Sequence, residues 1–195
     1  NVAKLADKDS CCVITAQQPG FATGPAYTIL NGISRVLAAQ SAGAVPLFWL
    51  ATEDHDVNEI SSTYSLDEMG NIKRFHISLT TDGRPVEDLL LTEKNVAECN
   101  HVCEFLGIKT LKMPISGASY ARTMANWMAK LFEGTGLVFV EPYLLRNLAV
   151  PFIRRELTDS AAIQNCLTEA SERLKKSGGA VPLSFNEGSN LFIKN

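Results

Sequence analysis

Residues 52–56, TEDHD, gather three acids and a histidine directly after PLFWLA, an apolar run typical of a buried strand. Crowded carboxylates repel one another, so something must compensate for their charge. Histidine titrates near neutral pH, and a neighbouring carboxylate can orient it and raise its pKa. The segment therefore offers four candidate acid–base residues: Glu53, Asp54, His55 and Asp56. Two other interpretations remain open, a divalent metal site and a helix start in which Asp56 and Glu59 form a capping box.

A second polar segment, AQQPGFATG at residues 16–24, follows the apolar run CCVIT at residues 11–15. Gly20 and Gly24 permit close approach of a ligand to the backbone, and a helix with Pro25 as its first residue would direct free N–H groups outward. These features suit a carboxylate, a sugar or a phosphate, but they also suit a tight strand-to-helix turn. Neither GxGxxG nor GxxxxGK[ST] is present, so the usual dinucleotide and triphosphate sites are not indicated. The neutral donors and acceptors near this loop are Thr15, Gln17, Gln18, Thr23, Tyr27 and Thr28.

Both segments require strands to position them. CCVIT, a helix capped by Gly24 that fades near residues 41–43, and PLFWLA at residues 46–51 form a βαβ unit, whose strands should be parallel. The carboxyl ends of parallel strands share one edge of a sheet, so we expect the two loops to face one crevice. Trp49, in the second strand, would partly desolvate that crevice, and it is included among the candidate binding residues.

The rest of the chain predicts an α/β, Rossmann-like three-layer domain with a mostly parallel sheet, helices on both faces and a β-hairpin excursion. The expected hairpin strands are residues 63–66 and 72–79, and the expected third buried strand is residues 136–142. The expected helices are residues 92–106, 119–132, 144–157 and 160–175. The core face of the second of these helices is expected to be Tyr120, Met124, Trp127, Met128 and Leu131. Residues 1–178 are assigned to the core, and residues 179–195, with a hairpin-like SFNEGSNLFIKN, to the start of an incomplete connective segment.

Composition excludes several classes of protein. A net charge of −3 over 195 residues gives no general attraction for nucleic acid or anionic membranes, and no apolar run has the length of a membrane span. Five cysteines without framework spacing favour a reducing cytoplasm. Cys99 and Cys103 are expected in the core with His101 at the surface, whereas Cys11 and Cys12 are expected to be buried in the first strand. The start at Asn1, without methionine, indicates a piece of a longer protein.

The paired segments VITAQQPGFATGPAYTI and PLFWLATEDHDVNEI resemble the signature of the bacillithiol biosynthesis cysteine-adding enzymes. GLVFVEPYLLRNLAVPF is similar to that family's third strand and following helix, so the resemblance covers nearly the whole chain. It implies the core of a bacterial ligase for a low-molecular-weight thiol, which joins cysteine to the amino group of glucosaminyl-malate as an amide. Family members also carry connective segments and a C-terminal coiled coil that supports homodimers, and this chain resembles only the core.

The same resemblance implies site residues in both segments. The first set is Thr15, Gln17, Gln18, Gly20, Thr23, Gly24, Tyr27 and Thr28. The second set is Thr52, Glu53, Asp54, His55 and Asp56. Three positions depart from the family pattern: Ala16 stands in place of glycine, Ala22 in place of a bulky residue, and Asn31 in place of lysine. Asn31 is retained as a candidate binding residue.

For such an amide-forming reaction we hypothesise that His55, oriented by Asp54 or Asp56, is the base that accepts a proton from the amine or the group that positions it. Glu53 would hold a substrate ammonium, and the glycine-bearing loop would hold malate carboxylates or a phosphate. The cysteine carboxyl would be activated, commonly as an adenylate or acyl phosphate. ATP, ADP or another nucleotide is the candidate cofactor, the sequence does not indicate which nucleotide, if any, is used, and no metal is assigned. Two alternatives are a metal-dependent hydrolase acting on a sugar or amide and a non-catalytic ligand-binding domain.

Overall fold

The computed structural model describes residues 1–80 and 82–181, and it divides into one compact unit of residues 1–144 and a second that begins at Leu145. The strands are β1 (Cys12–Gln17), β2 (Val45–Leu50), β3 (Ser62–Leu66), β4 (Ile72–His76) and β5 (Val138–Val140). The α-helices are α1 (Ala26–Ala42), α2 (Val57–Ile60), α3 (Glu93–Phe105), α4 (Tyr120–Leu131), α5 (Arg146–Thr158) and α6 (Ser160–Lys176). Short 3₁₀ helices span Val2–Ala6, Phe21–Thr23, Val86–Asp88 and Pro142–Leu145.

A parallel three-stranded sheet in the order β1-β2-β5 forms the centre of the first unit. Thr15, Phe48 and Phe139 are partners in the register, so they lie on the same face of the sheet. On this face Phe48 and Leu50 are buried against Met128 and other side chains of the α4 region. Helix α1 contacts β1 and β2, and α4 contacts β5. The predicted α/β class and the parallel βαβ unit are confirmed.

The opposite face of the sheet includes Ile14, Leu47 and Trp49. Ile14 pairs with Leu47, and Trp49 pairs with Ala16 of β1 and Val140 of β5. Ile14 is 56 % exposed, because α1 and α4 form their layer on the other side. Cys12 shares this face of β1 and is exposed, and Cys11 just before the strand is exposed as well. The expectation that both cysteines are buried is therefore wrong, since β1 is an edge strand of this sheet with one open face.

A second core lies between the antiparallel β3–β4 hairpin, α3 and α4. Cys99 and Cys103 of α3 are buried in it, while His101 is exposed, as predicted. Desolvation, with smaller contributions from Cys103 and Glu98, raises the pKa of the Cys99 thiol to about 12. The predicted core stripe of α4 is confirmed apart from Leu131, which is 55 % exposed at the end of the helix.

Helix boundaries follow local capping chemistry. Thr92 and Asn95 form a capping box at the start of α3. At α1 the prediction was wrong by one residue: Pro25 has extended backbone angles and is the N-cap residue, so the helix begins at Ala26. Gly43 ends α1 in the left-handed conformation, a conformation that glycine adopts without steric cost.

The unit that begins at Leu145 contains α5 and α6, close to the predicted helical ranges. Neither helix contains a fully buried residue. The predicted hairpin at residues 184–195 lies outside the described residues, as does most of the segment 179–195. Within residues 1–80 and 82–181, no helix is long and apolar enough to cross a membrane.

Candidate functional site

The two polar segments meet at the carboxyl edge of the sheet. Gln17 ends β1 and Leu50 ends β2, and the two are register partners. One residue further on, the Ala51 N–H donates to the Gln17 carbonyl at 3.0 Å. Parallel pairing therefore delivers both loops to the same edge, which confirms the shared position expected from strand order.

Asp54 links the two loops directly. The Gln18 amide donates through Nε2 to Asp54 Oδ2 at 2.6 Å, and the N–H groups of His55 and Asp56 donate to Asp54 Oδ1 at 2.6 Å and 3.1 Å. Desolvation alone would raise the pKa of Asp54, but these hydrogen bonds and the nearby His55 outweigh it and hold the pKa below its usual value of 3.8. Asp54 is therefore an ionised connector between the segments near neutral pH.

The other ionisable residues of TEDHD have separate surroundings. The His55 side chain is 74 % exposed, and its Nδ1 lies 3.7 Å from Asp54 Oδ1, beyond hydrogen-bond distance. Asp56 caps α2 by accepting from the Asn58 N–H at 2.9 Å. Glu53 is exposed. His55 thus projects from the loop as an exposed imidazole beside one carboxylate.

The predicted capping box of α2 forms only in part. Asp56 accepts from Asn58 rather than from Glu59, and the Asp56 N–H is already bonded to Asp54. No hydrogen bond or ion pair is found for the Glu59 carboxylate among the described residues. The sequence pattern assigned this carboxylate to the helix start, but the Asp56 N–H donates to Asp54 instead and leaves the Glu59 carboxylate available.

A cleft of about 300 Å³ opens beside these loops. Its walls are Gln17, Gln18, Gly20, Pro25, Tyr27, Glu59 and Ile60. Four of the predicted binding residues, namely Gln17, Gln18, Gly20 and Tyr27, line it together with Glu59, which the sequence did not indicate as a binding residue. Glu59 is the one ionisable side chain among these seven apart from the Tyr27 phenol, so the cleft wall has acidic and neutral polar character.

The glycines of the first loop are required by packing within the loop. A Cβ at Gly20 would lie 2.7 Å from the Gly24 Cα, and Gly24 has a φ of +70°. Ala22 and Thr23, between them, also have positive φ values of 48° and 77°. Strained backbone of this kind persists only where its surroundings hold it in place.

Several predicted binding residues lie away from the cleft wall. Thr15 is buried on the helix-covered face of β1, and Trp49 faces the opposite side of the sheet. Thr23 borders an apolar cavity of about 590 Å³ between the loop and helices α3 and α4. Asn31 is half-buried one turn after Tyr27 on α1. Their roles in binding stay predictions.

Thr28 and Thr52 are nearly inaccessible to solvent, with 2 % and 0 % exposure. Their Oγ1 atoms have no hydrogen-bond partner among the described residues. The Gly24 carbonyl, in turn, accepts from Thr63 Oγ1 of β3 at 3.4 Å. Burial therefore places the two threonines inside the scaffold of the loops, and the hydrogen bond from Thr63 ties Gly24 to β3.

Tyr120, at the first position of α4, connects the first loop to the end of α2, the helix that follows TEDHD. It is fully buried, and its hydroxyl lies 2.9 Å from the Pro19 carbonyl and 3.2 Å from the Ile60 carbonyl. Desolvation raises its pKa well above the usual value, with a smaller contribution from Cys99. The sequence placed Tyr120 in the core stripe, but periodicity alone could not indicate the two carbonyls to which it bonds.

Glu141 adds an acid at the end of the third strand. It directly follows β5, as the acids of TEDHD follow β2, and that position was a signal available in the sequence. Glu141 is 6 % exposed and lies 3.2 Å from the Arg122 guanidinium. Burial raises its pKa, Arg122 opposes that shift, and Glu87 adds to it.

No group of three or more His, Cys, Asp or Glu side chains within residues 1–80 and 82–181 is arranged to hold a metal ion. In TEDHD the Asp54 oxygens face backbone N–H groups and Gln18, and Asp56 caps a helix. This geometry gives the metal-dependent hydrolase interpretation no support.

The comparisons with known proteins agree with the fold. The model of the family described as "Bacillithiol biosynthesis BshC, N-terminal Rossmann-like domain" matches residues 1–195. A protein of Bacillus cytotoxicus named "Putative cysteine ligase BshC" is 31 % identical over 201 residues, which cover 91 % of this chain and 36 % of the relative. A protein of Koribacter versatilis with the same name is 28 % identical over 193 residues, again with 91 % and 36 % coverage. The chain thus spans about a third of the length of these relatives, and it belongs to the family of BshC N-terminal Rossmann-like domains.

Proposed function

We propose that this chain is the core of a ligase in bacillithiol biosynthesis, which joins cysteine to the amino group of glucosaminyl-malate through an amide bond. The relatives named as cysteine ligases support the ligase class. The observation that carries the assignment to this site is the Gln18–Asp54 hydrogen bond of 2.6 Å, because it joins the two family segments into one surface. The amine, the cysteine carboxyl and the proton acceptor would meet along this surface.

His55 is the proposed proton acceptor. The substrate ammonium must lose a proton before it reacts, because only the neutral amine attacks an activated carboxyl. Attack then forms the C–N bond and expels the group that activated the carboxyl, and the amide nitrogen loses a second proton, so a proton acceptor is needed nearby. The imidazole is exposed on the loop that Asp54 joins to Gln18, and it is not held in a hydrogen bond, which leaves both ring nitrogens accessible to substrate. Asp54 at 3.7 Å would stabilise the imidazolium that results, while its bonds to the backbone keep the loop in place.

The cleft wall does not fit a nucleotide polyphosphate. No lysine or arginine lines it, and Glu59 adds a negative charge that would repel phosphate oxygens. ATP or ADP is therefore not assigned to this cleft, and no step is derived through it. For the same reason the malate carboxylates are expected to lie outside the cleft.

The test is formation of the amide product by the 195-residue chain supplied with cysteine, glucosaminyl-malate and ATP, followed by mass spectrometry. His55→Gln should lower turnover at least about 100-fold, the lower end of general-base contributions, while leaving the circular dichroism spectrum unchanged. His76→Gln is the matched control, because His76 is an exposed histidine on the hairpin strand β4. Equal turnover in both variants would reject His55 as the base, and absence of product from the wild-type chain would reject ligase activity in this chain.

A further inference from the structure

The Glu59 carboxylate is an available charged group in the wall of a concave polar site. It lines the cleft with Gln17 and Tyr27, and no hydrogen bond or ion pair to it is found among the described residues. In a capping box the Glu59 carboxylate would accept a hydrogen bond from the Asp56 N–H, but Asp54 accepts that hydrogen bond instead. A carboxylate in this position can bind a cation brought by a ligand.

Its neighbours in the cleft are neutral and polar. Gln18 donates through Nε2 to Asp54, which leaves its Oε1 as an acceptor, and no bond is found for the Gln17 amide side chain among the described residues. Tyr27 is 50 % exposed and presents both a hydroxyl and a ring face. Amides and a phenol can bond to sugar hydroxyls, and an aromatic ring can contact the apolar C–H face of a sugar or attract an ammonium group.

None of the seven residues of the cleft wall is a lysine or an arginine. This distinguishes an amino acid from an amino sugar as the ligand that brings the ammonium group. An amino acid carries a carboxylate beside its ammonium, and that carboxylate would need a lysine or arginine that none of the seven wall residues supplies. An amino sugar carries its ammonium among neutral hydroxyls. A volume of about 300 Å³ is at the small end of ligand sites and suits one sugar ring.

We propose that this cleft is the amino-sugar subsite, in which Glu59 binds the sugar ammonium while Gln17, Gln18 and Tyr27 contact the ring. The inference rests on the proposed function, and it assigns to Glu59 the role that the sequence gave to Glu53. Glu53 lies in the exposed part of the TEDHD loop and is not among the residues of the cleft wall.

The test is a titration of the ¹⁵N-labelled 195-residue chain with methyl glucosaminide, and in parallel with methyl glucoside, which has a hydroxyl in place of the amine. We expect methyl glucosaminide to shift the resonances of Gln17, Tyr27 and Glu59, with an affinity at least tenfold above that of methyl glucoside. Glu59→Gln should remove this preference. Glu68→Gln, at an exposed acid in the β3–β4 turn, is the matched control and should retain it.

A second variant separates the charge from the ring contact. Tyr27→Leu should weaken binding of both sugars, whereas Glu59→Gln should weaken binding of the amino sugar alone. Three results would overturn the inference: no shifts at the cleft in the wild-type chain, equal affinity for the two sugars, or Glu59-dependent binding of cysteine in place of the sugar. Because these titrations need no turnover, failure of the ligase assay with successful sugar binding would reject the proposed function and retain the subsite.

Discussion

Asp54 is the residue on which the geometry of the candidate site depends. Its carboxylate accepts three hydrogen bonds, one from the other loop and two from its own. Hydrogen bonds to a charged group contribute about 1.5–3 kcal/mol when shielded, and less where solvent has access. The Asp54 side chain is 37 % exposed, so the Gln18–Asp54 bond should be at the low end.

We therefore expect a coupling of about 1 kcal/mol between Gln18→Ala and Asp54→Ala, measured as a double-mutant cycle in urea unfolding. Because the folded pKa of Asp54 lies below its usual 3.8, ionisation favours the folded state. The contribution should be complete above the unfolded pKa and should be lost as the pH falls through the lowered folded value. A coupling that is zero at pH 7, or one that grows on acidification below pH 4, would contradict this assignment.

Single residues also show the limit of what the sequence predicts. The two loops at one sheet edge were predicted from strand order, because parallel pairing leaves little choice. The availability of Glu59 was not predicted, because it depends on which of several neighbouring acceptors takes the Asp56 N–H. Local spacing favours Glu59 as the acceptor of the Asp56 N–H. The hydrogen bond from Gln18 holds Asp54 in the position where it accepts that N–H instead.

At the scale of elements, α4 connects the core to the site. Its first residue, Tyr120, contacts the Pro19 carbonyl of the first loop and the Ile60 carbonyl at the end of α2. Tyr120→Phe would retain the ring in the core but leave these carbonyls without their donor. Loss of a buried hydrogen bond of this kind costs about 1–2 kcal/mol of unfolding free energy.

We expect Tyr120→Phe to lower the unfolding free energy by that amount and to weaken methyl glucosaminide binding, because both walls of the cleft lose a shared support. Tyr64→Phe is the control, since Tyr64 is 64 % exposed on β3 and should be neutral in both measurements. Unchanged stability together with unchanged sugar affinity would show that the Tyr120 hydroxyl does not support the first loop and the end of α2.

The strands and helices themselves were largely predictable, and the errors have a common physical origin. Apolar runs predicted β1, β2 and the long helices, yet Cys11, Cys12 and Leu131 proved exposed. Hydrophobicity indicates which residues can be buried, while burial depends on how many layers cover an element. A pattern within one strand does not contain that information.

At the scale of the whole molecule, the candidate site and all the buried residues that the structure describes belong to the first compact unit. Both hydrophobic clusters lie between Phe21 and Phe139, whereas α5 and α6 contain no buried residue. The third strand is needed for this core, since Phe139 stacks on Phe48 with a ring separation of 5.5 Å. The unit of residues 1–144 therefore includes the elements that its core requires.

We expect a chain ended after Leu144 to unfold cooperatively and to retain methyl glucosaminide binding within about twofold of the 195-residue chain, as measured by thermal circular dichroism and by NMR titration. A chain ended after Gly136 is the matched control, because it lacks β5 and exposes Phe48 and Leu50 to water. Burial of an aromatic or leucine side chain contributes about 1.5–3 kcal/mol, so the shorter chain should lose several kcal/mol and fail to fold. If residues 1–144 did not fold while the 195-residue chain did, the second unit would have to supply part of the core. The candidate site would then depend on both units rather than on the first alone.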